Sequence, residues 1–337
     1  MNYNRTVLLE SDKVKIENYL EDLSIDFIRK EIITGLTLTD KYISSKFFYN
    51  ETGSKLFETI THLTEYYPTR IERGILRKIS PDFMSKFKNI DIIELGSGDC
   101  SKIKILLNSI LPQNISSIRY IPIDISWSTL KKSAKELTIL FPDLNIKGLV
   151  ADFFSQLNII PSENKRLFLF LGSTLGNFTE NNIINFLSQL SSIMHTNDLF
   201  LLGIDLAKET SVLNQAYNDE KGITAQFNKN ILNAINSIIG SDFNINNYKH
   251  QAFFNKKKSQ IEMYLISTKD QIIRTPFHSK PIQIKKDESI HTENSYKFSI
   301  NKIKQISAQT KLKINEIFFD KKKWFALILF SKKINSS

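Results

Sequence analysis

The chain is short of cysteine, of clustered histidine and of long apolar runs, and each shortage excludes something. One cysteine in 337 residues, Cys100, permits no internal disulfide and fits a reducing compartment. The five histidines stand apart at positions 62, 195, 250, 278 and 291, without the spacing that gathers ligands, so no metal is expected. No run of about 18 apolar residues occurs, so no membrane-spanning helix is expected. The opening residues, Met-Asn-Tyr-Asn-Arg-Thr, lack the apolar core of a signal peptide. Together these point to a cytoplasmic protein, expected to be a monomer, with no membrane partner. An arginine-rich stripe is missing too. The formal charge of +10 comes from lysines in short clusters, such as Lys256 to Lys258 and Lys321 to Lys323, which reads as a solvated surface and predicts no nucleic-acid partner.

What is present is a folded chain, 41% hydrophobic, long enough for one large or two ordinary domains. Its organising stretch is Ile92 to Lys102, reading Ile-Ile-Glu-Leu-Gly-Ser-Gly-Asp-Cys-Ser-Lys. An apolar β-branched run stops at Gly96 and Gly98, and an amphipathic helical pattern follows from Ser101, which predicts strand, tight turn and helix. Glycine suits such a turn because its backbone takes positive φ and no side chain holds a ligand away. A nucleotide-like cofactor is the first expectation. The third glycine of a dinucleotide fingerprint is absent, since Asp99, Cys100 and Ser101 follow Gly98. Glu94, beside the turn, is placed like the acid of S-adenosylmethionine folds, whose cofactor has no pyrophosphate to seat on the helix.

From Ile90 onward the pattern alternates as in a parallel α/β sheet. Strands are predicted at Ile90 to Leu95, Ile118 to Ile125, Ile146 to Val150, Leu167 to Leu171 and Leu199 to Ile204, with helices between them. A final helix and two strands, Ile314 to Phe319 and Trp324 to Phe330, would complete seven. In such sheets ligands bind beyond the carboxyl ends of the strands. There the sequence places Asp124, suited to ribose hydroxyls, then Asp152 and Phe153, suited to an adenine, and then the small polar loop Gly172 to Asn177. Residues 205 to 296 interrupt the sheet. The first 45 residues say little of chemistry; Ser11 or Asp12 is expected to cap a helix running toward Leu20. Gly53-Ser54 is expected to separate a loop from a helix at Lys55 to Leu63.

With these segments side by side, the chain resembles the histidine-specific N-α-methyltransferase family of ergothioneine biosynthesis. The ordered motifs are Phe48 to Ser54 with Phe57, Glu65 to Arg70, Glu94 to Gly98, Phe170 to Asn177, Gly222 to Thr224 with Phe227-Asn228, Ile261 to Met263, and Thr292 to Ser295. The resemblance implies a class I S-adenosylmethionine-dependent methyltransferase, an α/β Rossmann-like domain with a seven-stranded sheet at residues 71–206 and 297–337. A second, substrate-binding domain would be built from residues 1–70 and 207–296. It implies that Gly96, Lys102, Asp124, Asp152 and Phe153 line the S-adenosyl-L-methionine site, with Gly172 near the reacting sulfur. It further implies that Asn177 and Tyr217 hold the α-carboxylate of a free amino acid, that Tyr49, Phe57 and Tyr66 surround its amine, and that Thr224, Met263, Glu293 and Ser295 face an imidazole. Asn294 and Cys100 are the positions where the match to the family is loosest.

The expected reaction is methylation of the α-nitrogen of L-histidine, up to the trimethylated betaine hercynine. No nucleophile on the protein is needed, and the base for the amine's first proton is left open between water and Tyr49. A carboxylate at position 293 accepts hydrogen bonds only, whereas the Ser295 hydroxyl donates or accepts, a pairing suited to a histidine ring. An apolar side chain would leave Glu293 without a partner. Two alternatives stand: an N-methyltransferase for another amino acid such as tryptophan, and an RNA-binding base methyltransferase. Against the second, Gly-Ser-Thr-Leu-Gly-Asn stands after the fourth strand where base methylators usually carry Asp/Asn-Pro-Pro-aromatic.

Overall fold

The computed structural model describes residues 5–20 and 25–333. The chain divides into two compact units: Met1–Asp22, Pro68–Ala207 and Phe298–Ser337 form one, Leu23–Tyr67 and Lys208–Lys297 the other.

The first unit is built on a nine-stranded sheet. In spatial order its strands are Thr6–Glu10, Val14–Asn18, Asn145–Val150, Ile118–Asp124, Ile90–Leu95, Lys165–Phe170, Leu199–Asp205, Phe325–Lys332 and Leu312–Phe319. Neighbours from Val14–Asn18 to Leu199–Asp205 run parallel, and Phe325–Lys332 is antiparallel to both its neighbours. Every residue of the central strand Ile90–Leu95 is buried, as a parallel strand covered on both faces must be. Leu95 pairs with Ile123, Asp124 with Val150, and Glu94 with Leu169. The carboxyl ends of four strands therefore lie level, and the segments leaving them start from one row.

All seven expected strands are present, and two more extend the sheet. Val14–Asn18 was expected to be helical, but Val14 and Ile16 are buried at alternate positions and pair with Ile146 and Gly148. A Cβ at Gly148 would meet Ile16 at 3.1 Å, so the glycine makes room for this added strand. Residues 5–20 thus belong with the sheet and not, as expected, with the second domain.

The second unit holds the helices Ile25–Thr37, Glu51–Thr61, Thr210–Tyr217 and Ile223–Ile239 and a four-stranded sheet. That sheet's order is Lys41–Tyr42, Ser289–Tyr296, Gln260–Ser267, Tyr248–Asn255. The helix expected from Lys55 starts four residues earlier, because the Asn50 side chain caps it by accepting the Gly53 N–H at 2.8 Å. Gly53 lies inside the helix and not at its edge; a Cβ there would fall 1.7 Å from the Phe48 carbonyl oxygen.

One side chain ties the row of strand ends to a neighbouring helix. Glu72, on the helix Tyr67–Met84, is fully buried. Its carboxylate accepts the Gly172 N–H at 2.8 and 3.0 Å and pairs with the Lys102 ammonium at 2.9 Å. A Cβ at Gly203 would lie 2.1 Å from Glu72 Oε1. The carboxylate end is pinned and cannot swing aside without losing those partners, so Gly203→Ala is expected to destabilise the chain by about 1–3 kcal/mol. Urea unfolding followed by circular dichroism measures this, and an unchanged midpoint would show that Glu72 is not held as tightly as its contacts indicate.

Candidate active site

The turn after Ile90–Leu95 has the backbone its glycines announce, with Gly96 at φ +68° and Gly98 at φ +54°. The Gly96 N–H donates to the Ile123 carbonyl at 2.8 Å, anchoring the turn to the next strand. Asp124 completes that anchorage. Its carboxylate accepts the Gly98 N–H at 3.2 Å and the Ser126 N–H at 2.9 Å. Burial pushes its acid upward, opposed by those two N–H donors. Asp124 therefore shapes the turn, and its remaining lone pairs suit ribose hydroxyls.

Three further observations fit a polar ligand with an aromatic base. Ser97 Oγ, between the glycines, is buried with no hydrogen-bond partner among the described residues. A Cβ built on Gly98 would meet nothing within 4 Å, and one on Gly96 would meet only the Phe153 ring, at 3.6 Å. Phe153, half-buried, packs against Phe170 and Phe186 with centroids 5.4 and 6.1 Å away. Asp152 beside it accepts the Phe154 N–H at 2.9 Å. Gly96, Asp124, Asp152 and Phe153 are thus gathered at the level strand ends. Gly172, at φ +85°, and Asn177, in the 3-10 turn Thr174–Asn177, leave the fourth strand of that row.

Glu94 and Lys102 show how charge is managed there. Burial pushes the Glu94 acid up to about 7, while the Tyr120 hydroxyl, which donates to it, and the Lys102 ammonium oppose the shift. Lys102 is expected at the cofactor and is also the counter-ion of Glu72, a residue the sequence reading passes over although it stands two positions beyond the Glu65 to Arg70 motif. Cys100 is buried at φ +53°, and burial, then the charge of Glu136, pushes its thiol up to about 12. It is a turn residue and not a reactive thiol.

The second unit gathers most of the residues expected at the amino acid. Tyr49 packs edge-on to Phe57 at 5.7 Å, Phe57 to Tyr66 at 6.2 Å, and Tyr66 to Tyr217 at 6.3 Å. The Tyr217 hydroxyl donates to Ser295 Oγ at 2.8 Å. Glu293 and Ser295 share one face of the strand Ser289–Tyr296, and Glu293 is the register partner of buried Met263. A bulge sits at this point. Met263 faces Glu293 but Tyr264 faces His291, so Thr292 is the extra residue, its hydroxyl donating to Asn228 Oδ1 at 2.7 Å. Burial pushes the half-buried Glu293 acid up to about 7, opposed by the charge of Lys297. Thr224 Oγ1, on the helix Ile223–Ile239, is buried and has no hydrogen-bond partner by distance and angle among the described residues, with the Asp219 carboxylate close enough to act on it. The Asp219 carboxylate caps that helix through the Ile223 and Thr224 N–H groups, each at 2.8 Å.

Two residues in this unit escape the sequence reading. His250 Nε2 lies 2.9 Å from the Tyr217 carbonyl and Nδ1 lies 2.8 Å from the Asn228 amide nitrogen. The first contact needs a donor and the second an acceptor, which assigns the neutral tautomer protonated on Nε2. Burial holds this imidazole below its ordinary range, consistent with that state. Lys297 is the other, fully buried, its Nζ 3.0 Å from the Tyr217 hydroxyl and 2.9 Å from Ser295 Oγ. Its signal was the period-two series 293, 295, 297 running past the last motif. Asn294 points to the opposite face, where Oδ1 meets Gln260 Nε2 and His291 Nε2, both at 2.9 Å.

A family profile described as histidine-specific methyltransferase, SAM-dependent, matches residues 28–332. The chain is 37% identical over 287 residues to the histidine N-alpha-methyltransferase of Mycobacterium tuberculosis (strain CDC 1551 / Oshkosh), covering 85% of this chain and 89% of that one. It is 35% identical over 286 residues to the histidine N-alpha-methyltransferase of Mycolicibacterium smegmatis, with the same two coverages, 85% and 89%. Ergothioneine biosynthesis protein 1 of Schizosaccharomyces pombe is 28% identical over 277 residues, 78% of this chain and 35% of that one. The chain belongs to the family of histidine-specific, S-adenosylmethionine-dependent methyltransferases.

Proposed function

We propose that the chain methylates the α-nitrogen of free L-histidine with S-adenosyl-L-methionine, up to three times, giving hercynine for ergothioneine biosynthesis. The observation that carries this reading is the pairing of Glu293 with Ser295 on one strand face, beside Met263 and within hydrogen-bond reach of Tyr217. Two relatives that cover 85% of the chain bear the name histidine N-alpha-methyltransferase, and the yeast relative is named for ergothioneine biosynthesis.

In the first unit, Gly96, Asp124, Asp152 and Phe153 would hold the nucleoside of the cofactor, with Lys102 and Gly172 nearby. When bound, that cofactor supplies a methyl group on a sulfonium sulfur, which an amine lone pair can take without a nucleophile from the protein. The work left to the protein is alignment and exclusion of water. Asn177 carries an amide donor suited to a carboxylate, whereas the Tyr217 hydroxyl, expected there too, gives its one hydrogen to Ser295 Oγ. The Glu293 carboxylate accepts a ring N–H, and Ser295 complements it. As methyl groups accumulate the nitrogen becomes a fixed cation, which the faces of Tyr49 and Phe57 would stabilise by about 1–2 kcal/mol each. Retention between successive transfers follows from that attraction.

Incubating the purified chain with S-adenosylmethionine and each standard amino acid, then reading product masses, is expected to show one to three added methyl groups on histidine alone. Glu293→Ala is expected to lower kcat/KM for histidine by about 1.5–3 kcal/mol, roughly tenfold to over a hundredfold. Unchanged histidine turnover in that variant would refute the specificity argument.

A pH profile tests the same acid. Because Glu293 has a folded-state pKa near 7, above its ordinary value, it is a carboxylate above that pH and a protonated donor below it. Apart from the loss of the substrate α-ammonium proton at higher pH, which frees the attacking lone pair, the kcat/KM of the wild type for histidine should rise through pH 7 with two ionisations, those of Glu293 and of the substrate imidazole, whose ordinary pKa is about 6.5. Glu293→Gln should keep the imidazole step and lose the other, and identical profiles would show that Glu293 does not titrate at the substrate.

A further inference from the structure

Lys297 is a buried ammonium with no place in the reaction as described so far. It is 1% exposed, and the two hydroxyls it touches are hardly more so, Ser295 at 5% and Tyr217 at 7%. The three polar atoms close a triangle. Lys297 Nζ lies 3.0 Å from the Tyr217 hydroxyl and 2.9 Å from Ser295 Oγ, and the two oxygens are 2.8 Å apart. The ammonium stands 4.9 Å from the centroid of the Tyr217 ring, near its polarisable face.

The chemistry of the groups orders the hydrogens. An ammonium has three N–H donors and no acceptor, so at both of its contacts the oxygen must accept. With Tyr217 donating to Ser295, Ser295 Oγ accepts twice, from the phenol and from the ammonium, and both its lone pairs are used. Its own hydrogen can then only be given away, outside the triangle. In this order the triangle delivers the Ser295 hydrogen and leaves no lone pair on Ser295 Oγ to accept.

We propose that Lys297 is a specificity-determining positioning residue: it forces the Tyr217–Ser295 pair to present a donor, so that Ser295 as donor and Glu293 as acceptor together select a ring with one acceptor nitrogen and one N–H. This rests on the histidine reading above and deepens it. A neutral imidazole has that pattern and an apolar or phenolic side chain does not. The same ammonium opposes the desolvation of Glu293 and so favours its acceptor state. Without Lys297 the two hydroxyls could rotate, each free to accept as well as donate, and the site would lose its preference at that end. Lys297 acts through Ser295, Tyr217 and Glu293, and no contact of its own with substrate is required.

The test compares Lys297→Met, which removes every donor, with Lys297→Arg, which keeps donors and charge. Four quantities are read: KM and kcat for histidine, the dissociation constant for S-adenosylmethionine by calorimetry, the thermal midpoint, and the ratio of kcat/KM for histidine over phenylalanine. Lys297→Met is expected to raise the histidine KM by about tenfold to a hundredfold, the range of one charge-assisted hydrogen bond. The histidine-to-phenylalanine ratio should fall by a similar factor, and cofactor affinity should stay within about twofold. Lys297→Arg should restore at least half of the lost discrimination. If Lys297→Met does not fold, Lys297→Gln, with two N–H donors and no charge, is read by the same measures. A histidine KM and substrate ranking equal to the wild type's would overturn the proposal, as would a loss shared equally by cofactor affinity and histidine KM. If the wild type itself bound cofactor yet left histidine unmethylated, the histidine reading would fail at its own step, before any variant is compared.

Discussion

A sheet covered on both faces has nowhere to put a polar side chain except near the ends of its strands, and that constraint shapes the first unit. Through Ile90–Leu95 and Lys165–Phe170 the buried positions are apolar except for Asp91, Glu94 and Arg166. Polar groups that do enter are paired at once. Asp91 meets Arg119 through two hydrogen bonds at 2.9 and 2.5 Å, and Arg166 meets Asp198 with both groups fully buried. At the other end of the strands the same need for partners becomes useful. Asp124 satisfies the N–H groups of the glycine turn, and Glu72 satisfies Gly172 and Lys102. An unpaired buried carboxylate would be expelled or neutralised, so each acid remains only because its partners are held rigidly.

The second unit solves the same problem with a different scaffold. Its antiparallel strands give period-two faces, and the bulge at Thr292 re-aims the strand where Glu293 and Ser295 stand. A run of edge-on aromatic contacts from Tyr49 to Tyr217 supplies apolar walls. His250 and Asp219 hold the backbone at Tyr217 and at the start of the helix Ile223–Ile239, from behind.

Much of this could be read before any coordinates. The strand, glycine turn and helix around Gly96, the acids at Asp124 and Asp152, and the interruption between residues 205 and 296 follow from apolar periodicity and turn chemistry, which are local properties. The N-terminal strands escaped because five-residue segments with mixed polarity, such as Val14–Asn18, show the same short pattern whether they become a helix or a strand. Gly53 read as a breaker because helix propensity carries no information on the Phe48 carbonyl that packs against it.

By itself the sequence determined the class of the fold, the place of the glycine turn and the family, because each rests on local spacing or on ordered motifs. Only the tertiary structure decided how the charges are balanced. Glu72 lies 100 positions from Gly172, and Lys297 lies 80 from Tyr217, yet each pair is in hydrogen-bond contact. A motif names a carboxylate or an ammonium; whether that charge is exposed, paired or buried depends on which distant segment comes to rest against it. Electrostatic interaction falls off with distance in space, not along the chain.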